Sequence, residues 1–196
     1  MNCWIIDAFV DKKFRGNPAA VVPLGHWLPD KKLLEISSEF NLSETAFFLS
    51  AGGSYHLRWF TPATEVELCG HATLAAAHVI FRELKDERSS LTFQTQSGLL
   101  RVRREGKWIE LNFPAYPPGV SHHEDAVAEA LGAQPLMVLE ASTKLLAVFE
   151  DEEQVRALEP DMEKTAALPL PGLIATAPGK KVDFVSRFFA PALGVP

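Results

Sequence analysis

Two places in this 196-residue chain combine residue types and spacing that could do chemistry: Cys69-Gly70-His71-Ala72-Thr73, and the single acid within Leu42-Ser43-Glu44-Thr45-Ala46-Phe47-Phe48. The first stands where a loop enters an apolar helical stretch. The first turn of a helix carries unpaired N–H groups and partial positive charge, and Gly70 lets a ligand approach the backbone, so a carboxylate could dock there. In that field the Cys69 thiolate would be favoured. The alternative is structural, with Gly70 a tight turn and Cys69 a small buried hydrophobe. In the second run, period two puts Leu42, Glu44, Ala46 and Phe48 on one strand face, which places a carboxylate in an apolar row. Burial there raises its pKa toward the range of a general acid or base, whereas a strand beginning at Thr45 would leave Glu44 solvated.

Other polar residues read less sharply. Asn17, between Gly16 and Pro18, could hold a ligand through its amide or only stabilise its own turn. His71 and His78 lie seven apart, nearly on one helix face, but no third ligand stands at metal-site spacing, so no metal is expected. Arg58 is read as a solvated strand residue, with a counter-ion role as the alternative. The charged runs Arg82 to Arg88 and Glu150 to Glu153 read as solvated helix ends, and His122-His123 as the flank of a helix start.

These residues need elements to hold them. Leu74, Ala75, Ala76, Ala77, Val79, Ile80 and Phe81 surround a helix from about His71 to Lys85 with apolar or small side chains, so it must be covered on every side. Most of the sequence around it reads as strand, at Cys3 to Val10, Ala19 to Val22, Thr45 to Leu49, Tyr55 to Thr61, Leu91 to Thr95, Leu99 to Arg103 and Trp108 to Phe113. A short amphipathic helix over Lys31 to Phe40 and a loop over Pro62 to Cys69 complete this part. The expected architecture is therefore α+β, a curled, mostly antiparallel sheet around a central buried helix. The three prolines of Pro114 to Gly119 mark a linker, which divides the chain into a first domain over residues 1–115 and a second over 116–196. The second holds helices at Glu124 to Leu131 and Asp151 to Ala157, and strands at Leu136 to Glu140, Leu145 to Phe149, Leu173 to Thr176 and Val182 to Phe189.

Composition removes several function classes. With 19 Lys+Arg against 25 Asp+Glu the net charge is −6, without the basic patch that nucleic-acid binding requires. Apolar residues at 47% and charged ones at 22% fit a chain that buries a core. Two cysteines cannot build a secreted disulfide framework, and the N-terminus has no signal-peptide pattern, so the expected location is cytoplasmic. The longest weakly polar stretch, Ala72 to Phe81, is too short for a bilayer, which takes about 20 apolar residues.

Asp7-Ala8-Phe9, Phe14-Arg15-Gly16-Asn17-Pro18-Ala19-Ala20-Val21, Leu42-Ser43-Glu44-Thr45-Ala46-Phe47 and Arg58-Trp59-Phe60-Thr61-Pro62 through Glu65-Val66-Glu67-Leu68-Cys69-Gly70-His71-Ala72-Thr73 together resemble the PhzF-like family of phenazine-biosynthesis isomerases, which is related to diaminopimelate epimerase. The resemblance implies two similar domains, each a curled sheet around a central helix. It implies proton transfer at an activated carbon of a small carboxylic acid, without metal or organic cofactor. It implies Glu44 as acid/base, with Gly70, His71, Thr73 and Asn17 holding the substrate. Cys69 stands where the epimerase relatives carry a catalytic thiol, while the phenazine enzyme does not rely on a cysteine there, so Cys69 is the second choice as base.

In that family a segment rich in Asp, Pro, Thr, Gly and Ser opens the second domain's central helix. The chain reaches Ala190-Pro191-Ala192-Leu193-Gly194-Val195-Pro196 where this segment is expected, so the second domain and half of the substrate site are expected to be incomplete. Two functions follow: a cofactor-independent isomerase or epimerase, or a non-catalytic remnant or binding module of the same fold. The expected partner is a small carboxylate, with no nucleic acid and no membrane, and a homodimer is the commonest assembly for such a protein.

Overall fold

The computed structural model of the chain describes residues 2–194 apart from Asp11, Lys13 and Phe14. Phe14 of the second motif block, and Val195 and Pro196, lie outside the described residues. Two units are formed, Met1–Pro114 and Ala115–Pro196. In the first, β1 (Trp4–Ala8) and β2 (Asn17–Pro23) lead through α1 (Asp30–Phe40) to β3 (Glu44–Ala51), β4 (Ser54–Phe60) and the short β5 (Glu65–Val66). Helix α2 (Gly70–His78) and a π-helical turn (Val79–Glu83) follow, then β6 (Ser90–Thr95), β7 (Gly98–Glu105) and β8 (Trp108–Asn112).

The strands make one eight-stranded sheet, ordered β1-β2-β3-β4-β6-β7-β8 with β5 paired to β4. It is mixed, because β2 runs parallel to β3 and β4 parallel to β6. Alternation serves both faces of β3: Ala46 and Phe48 pack in the core that holds α2, while Phe47 packs with Val22, Leu33 and Phe60 beneath α1. Helix α2 touches β1, β2, β3 and β8. Since β1 and β8 are the two ends of the sheet order, the sheet must curl around the helix to reach it from both sides. Ala72, Ala75, Ala76 and Ala77 are fully buried, and their small side chains let the strands come close.

The helix expected to run to Lys85 changes character after His78. Leu84 N–H donates to the Val79 carbonyl at 2.9 Å and Asp86 N–H to that of Ile80 at 3.1 Å, in a widened turn that leaves the successive bulky residues Val79, Ile80 and Phe81 all buried. The run Arg82 to Arg88 is not simply a solvated end. Asp86 accepts from the Tyr55 hydroxyl at 2.9 Å and from Arg88 Nε, and Arg88 also donates to the Gly53 carbonyl, which ties the chain leaving the helix to the β3–β4 hairpin. Arg88 is the main reason that the Asp86 carboxyl lies well below the ordinary carboxylate range. Arg58 is likewise not solvated: it donates to both Glu65 oxygens at 2.7 and 2.6 Å and to Asp30 at 2.9 Å, and lies over the rings of Trp27 and Phe60.

The second unit contains β9 (Gly119–Val120), α3 (Glu124–Leu131), β10 (Met137–Ala141), β11 (Lys144–Val148), α4 (Glu152–Ala157), α5 (Met162–Ala166), β12 (Gly172–Pro178) and β13 (Phe184–Phe189). Its sheet is ordered β13-β12-β11-β10-β9, with β11 and β12 parallel. Val127 and Leu131 of α3 and Val155 of α4 cover one face, packing on Val138, Leu145, Ala147, Leu173 and Ala175. By strand alternation, exposed Val120, Met137, Phe184 and Phe188 belong to the other face. Helix α5, absent from the sequence reading, is a five-residue element capped by the Asp161 carboxylate, which accepts from the N–H groups of Glu163 and Lys164. Among the described residues no helix is long and apolar enough to cross a membrane.

Two stability measurements test this packing. Ala76→Leu, nearly neutral on an exposed helix, should destabilise the first unit by about 1–3 kcal/mol in urea because no space exists beside α2. Asp86, with its carboxyl held low in the folded state, contributes stability that is complete above about pH 4 and is lost as pH falls toward its folded value. The urea midpoint of the wild type should therefore fall more steeply on acidification than that of Asp86→Asn, and parallel declines would show that the clamp carries no stability.

Candidate active site

The curled sheet and its helix bring one set of polar residues to a single end. Parallel pairing of β2 with β3 sets Ala19 opposite Glu44, so both strands begin on the same side of the sheet. Gly16 makes the entry into β2 feasible: its φ of +86° is left-handed, and a Cβ there would lie 2.3 Å from the Ala8 carbonyl oxygen. Asn17 opens β2, and its Oδ1 accepts from the Ser43 hydroxyl at 3.3 Å. Helix α2 arrives at this end with extended Cys69 as its N-cap residue. The Cys69 sulfur is 3.4 Å from His71 Nδ1, while His71 Nε2 is 3.4 Å from both Ser43 Oγ and Glu44 Oε2. One atom each from Glu44, Cys69 and His71 falls within 4.8 Å of the others, the sort of trio that could hold a metal ion.

Burial governs the protonation of all three. The Glu44 side chain is only 15% exposed, and loss of solvent raises its pKa above the usual carboxylate value, with hydrogen bonds from Ser43 and Cys69 acting in the opposite direction. For His71, 8% exposed, burial lowers the pKa against the pull of the Pro18 carbonyl, so the ring is neutral at pH 7 and its contact with Glu44 is not an ion pair. Burial, followed by the nearby Glu44 charge, pushes the Cys69 thiol well above its ordinary value. The helix field was expected to favour the Cys69 thiolate. It does act, since the N–H groups of His71 and Ala72 point toward the sulfur, but they make no capping hydrogen bond and are outweighed.

The structure thus brings Asn17, Glu44, Cys69 and His71 together. Glu44 begins β3 and shares the face of Ala46 and Phe48, in line with the apolar-row reading rather than the solvated-end one. Gly70 is the first residue of α2 and has no left-handed backbone angle. Thr73 departs from its expected place: it is fully buried, and its hydroxyl donates to the Cys69 carbonyl at 2.5 Å, which braces the helix start. His78 is not part of the trio. Ser43 was missed as a site residue, although a hydroxyl directly preceding the acid was the available signal. Chemically, a carboxyl with a raised pKa beside a neutral imidazole can both accept and return a proton.

Residues 6–196 match the family described as phenazine biosynthesis-like protein. An uncharacterized isomerase of Pseudomonas aeruginosa is 50% identical over 190 residues, which cover 97% of this chain and 73% of that protein. The crystal structure of a PhzF-family phenazine biosynthesis protein from Enterococcus faecalis superposes with a TM-score of 0.88 at 43% identity, covering 98% of this chain and 74% of that one. A hydroxyproline epimerase from Agrobacterium vitis shares the fold alone, with a TM-score of 0.55 at 8% identity over 88% of this chain and 67% of that one. On its sequence, its curled mixed sheet and its second sheet, the chain belongs to the PhzF family of phenazine biosynthesis-like proteins.

Proposed function

We propose that the chain is a cofactor-independent isomerase that moves a proton on a small carboxylic acid, with Glu44 as the acid/base. The observation that carries this reading is the position of Glu44, a largely buried carboxyl held among Ser43, His71 and Cys69 at the start of the central helix. The Glu44 carboxylate takes a proton from a carbon next to a carbonyl or a double bond, and the C–H electron pair moves into that neighbouring group. The proton then returns from the Glu44 carboxyl to another carbon of the same unsaturated system. One acid/base delivers the proton to the face it came from, so Glu44 alone performs a shift rather than an inversion.

In this reading Asn17 and the backbone at Gly70 receive the substrate carboxylate, and neutral His71 holds the Glu44 carboxyl by its ring edge. Cys69, kept as a thiol, donates to Glu44 and does not act as the base. An epimerase would need a second group on the opposite face of the substrate, whereas Cys69 lies against Glu44 itself. A non-catalytic module of the same fold is favoured by one observation, the exposed apolar residues Val120, Met137 and Phe184 on the second sheet.

Proton NMR in deuterated water, with a panel of small carboxylic acids that carry an activated C–H, separates these readings. Wild-type protein should exchange that hydrogen for deuterium in at least one acid, and Glu44→Gln should slow the exchange by at least about 100-fold. Exchange unchanged in Glu44→Gln removes Glu44 from the mechanism, loss in Cys69→Ser alone points to the epimerase, and no exchange in wild type supports the non-catalytic module. The state of the thiol is tested separately. Under native conditions iodoacetamide should alkylate exposed Cys3 at least about tenfold faster than Cys69, and equal rates would mean an accessible Cys69 thiolate.

A further inference from the structure

We infer that Ser43 is a positioning residue of this site, whose hydroxyl fixes the single ring hydrogen of His71 on Nε2, the nitrogen that faces Glu44. Ser43 directly precedes β3, and its Oγ lies between two other elements, 3.3 Å from Asn17 Oδ1 at the start of β2 and 3.4 Å from His71 Nε2 in the first turn of α2. A neutral imidazole has one N–H and one bare nitrogen. Because Glu44 Oε2 is also 3.4 Å from Nε2, the choice of nitrogen decides whether the ring meets the acid as a donor or as a lone pair.

The hydroxyl makes that choice by counting hydrogens. Ser43 has one to give, and two oxygens compete for it, Asn17 Oδ1 and the Glu44 carboxylate. Whichever of them takes it, Oγ turns a lone pair toward His71 Nε2. A bare Nε2 would set lone pair against lone pair at Oγ and again at Glu44 Oε2, whereas Nε2–H is shared favourably between the two oxygens. On the other side of the ring, Nδ1 is then the bare nitrogen beside the Cys69 sulfur at 3.4 Å, an arrangement that suits a protonated thiol rather than a thiolate. Asn17 acquires a second task, since its carbonyl oxygen holds the Ser43 hydrogen away from the ring and leaves its own N–H groups free. One consequence rests on the acid/base reading above: with Nε2 already protonated, a Glu44 carboxyl that has taken a substrate proton cannot pass it to the neutral ring and keeps it for the substrate.

The test is long-range proton–nitrogen NMR of the histidine rings in the nitrogen-15-labelled 196-residue protein at pH 7 without substrate, so it stands or falls independently of any activity. His71 is singled out among the six histidines by the signals that vanish in His71→Gln. The wild-type ring should carry its hydrogen on Nε2. Ser43→Ala should move the tautomer ratio toward Nδ1–H by at least about threefold, the effect of losing one hydrogen bond, and Ser43→Thr, which keeps the hydroxyl, should restore it. Hydrogen on Nδ1 in the wild type, ring signals unmoved in folded Ser43→Ala, or Ser43→Thr behaving as Ser43→Ala overturns the assignment, and the wild-type spectrum decides the first point even where a variant does not fold.

Discussion

The structure of the first unit depends on burying one helix on all sides. Helix α2 is lined by alanines and touches strands at both ends of the sheet order, so the sheet has to close around it. That requirement also decides where the helix begins. Parallel pairing of β2 and β3 places the starts of both strands at one end of the sheet, and α2 enters beside them. Cys69 and His71 consequently meet Asn17, Ser43 and Glu44, although 25 positions separate Glu44 from Cys69 in sequence.

Polar groups in this unit fall into two physically different kinds. Arg58 with Glu65 and Asp30, and Asp86 with Arg88 and Tyr55, are opposite charges satisfied by close partners, and they hold chain segments together. Glu44, His71 and Cys69 have no such compensation. Burial favours the neutral form of each, which raises the two acids and lowers the base. Uncompensated titratable groups are costly to keep in a core, and their concentration at one helix start is the electrostatic pattern on which the proposed site rests.

Much of this was legible in the sequence, for identifiable reasons. The alanine-rich helix announced its own burial, and period two placed Glu44 beside Ala46 and Phe48, because both signals are local. Residue spacing alone did not assemble the trio, since along the helix it paired His71 with His78, while Glu44 comes from a strand through the curl of the sheet; only the family resemblance put Glu44, Cys69 and His71 in one site. The Cys69 expectation had the right field but the wrong winner, since the helix terminus was weighed without the desolvation and the Glu44 charge that oppose it. Arg58 and Asp86 resembled surface charges because their partners, Glu65 with Asp30 and Tyr55, are set by strand pairing and loop closure. Helix α5 and strands β5 and β9 are too short to carry a periodic signal.

The constraint on which the site depends is open to one direct measurement, native-state amide hydrogen exchange across increasing urea. The amides of Ala75, Ala76, Ala77 and His78 should exchange only through global unfolding of the first unit, with the full urea dependence of that transition, while those of the half-exposed helix α1 exchange through smaller openings. If the α2 amides exchanged as readily as those of α1, the helix would not be the enclosed core that positions Cys69 and His71 against Glu44.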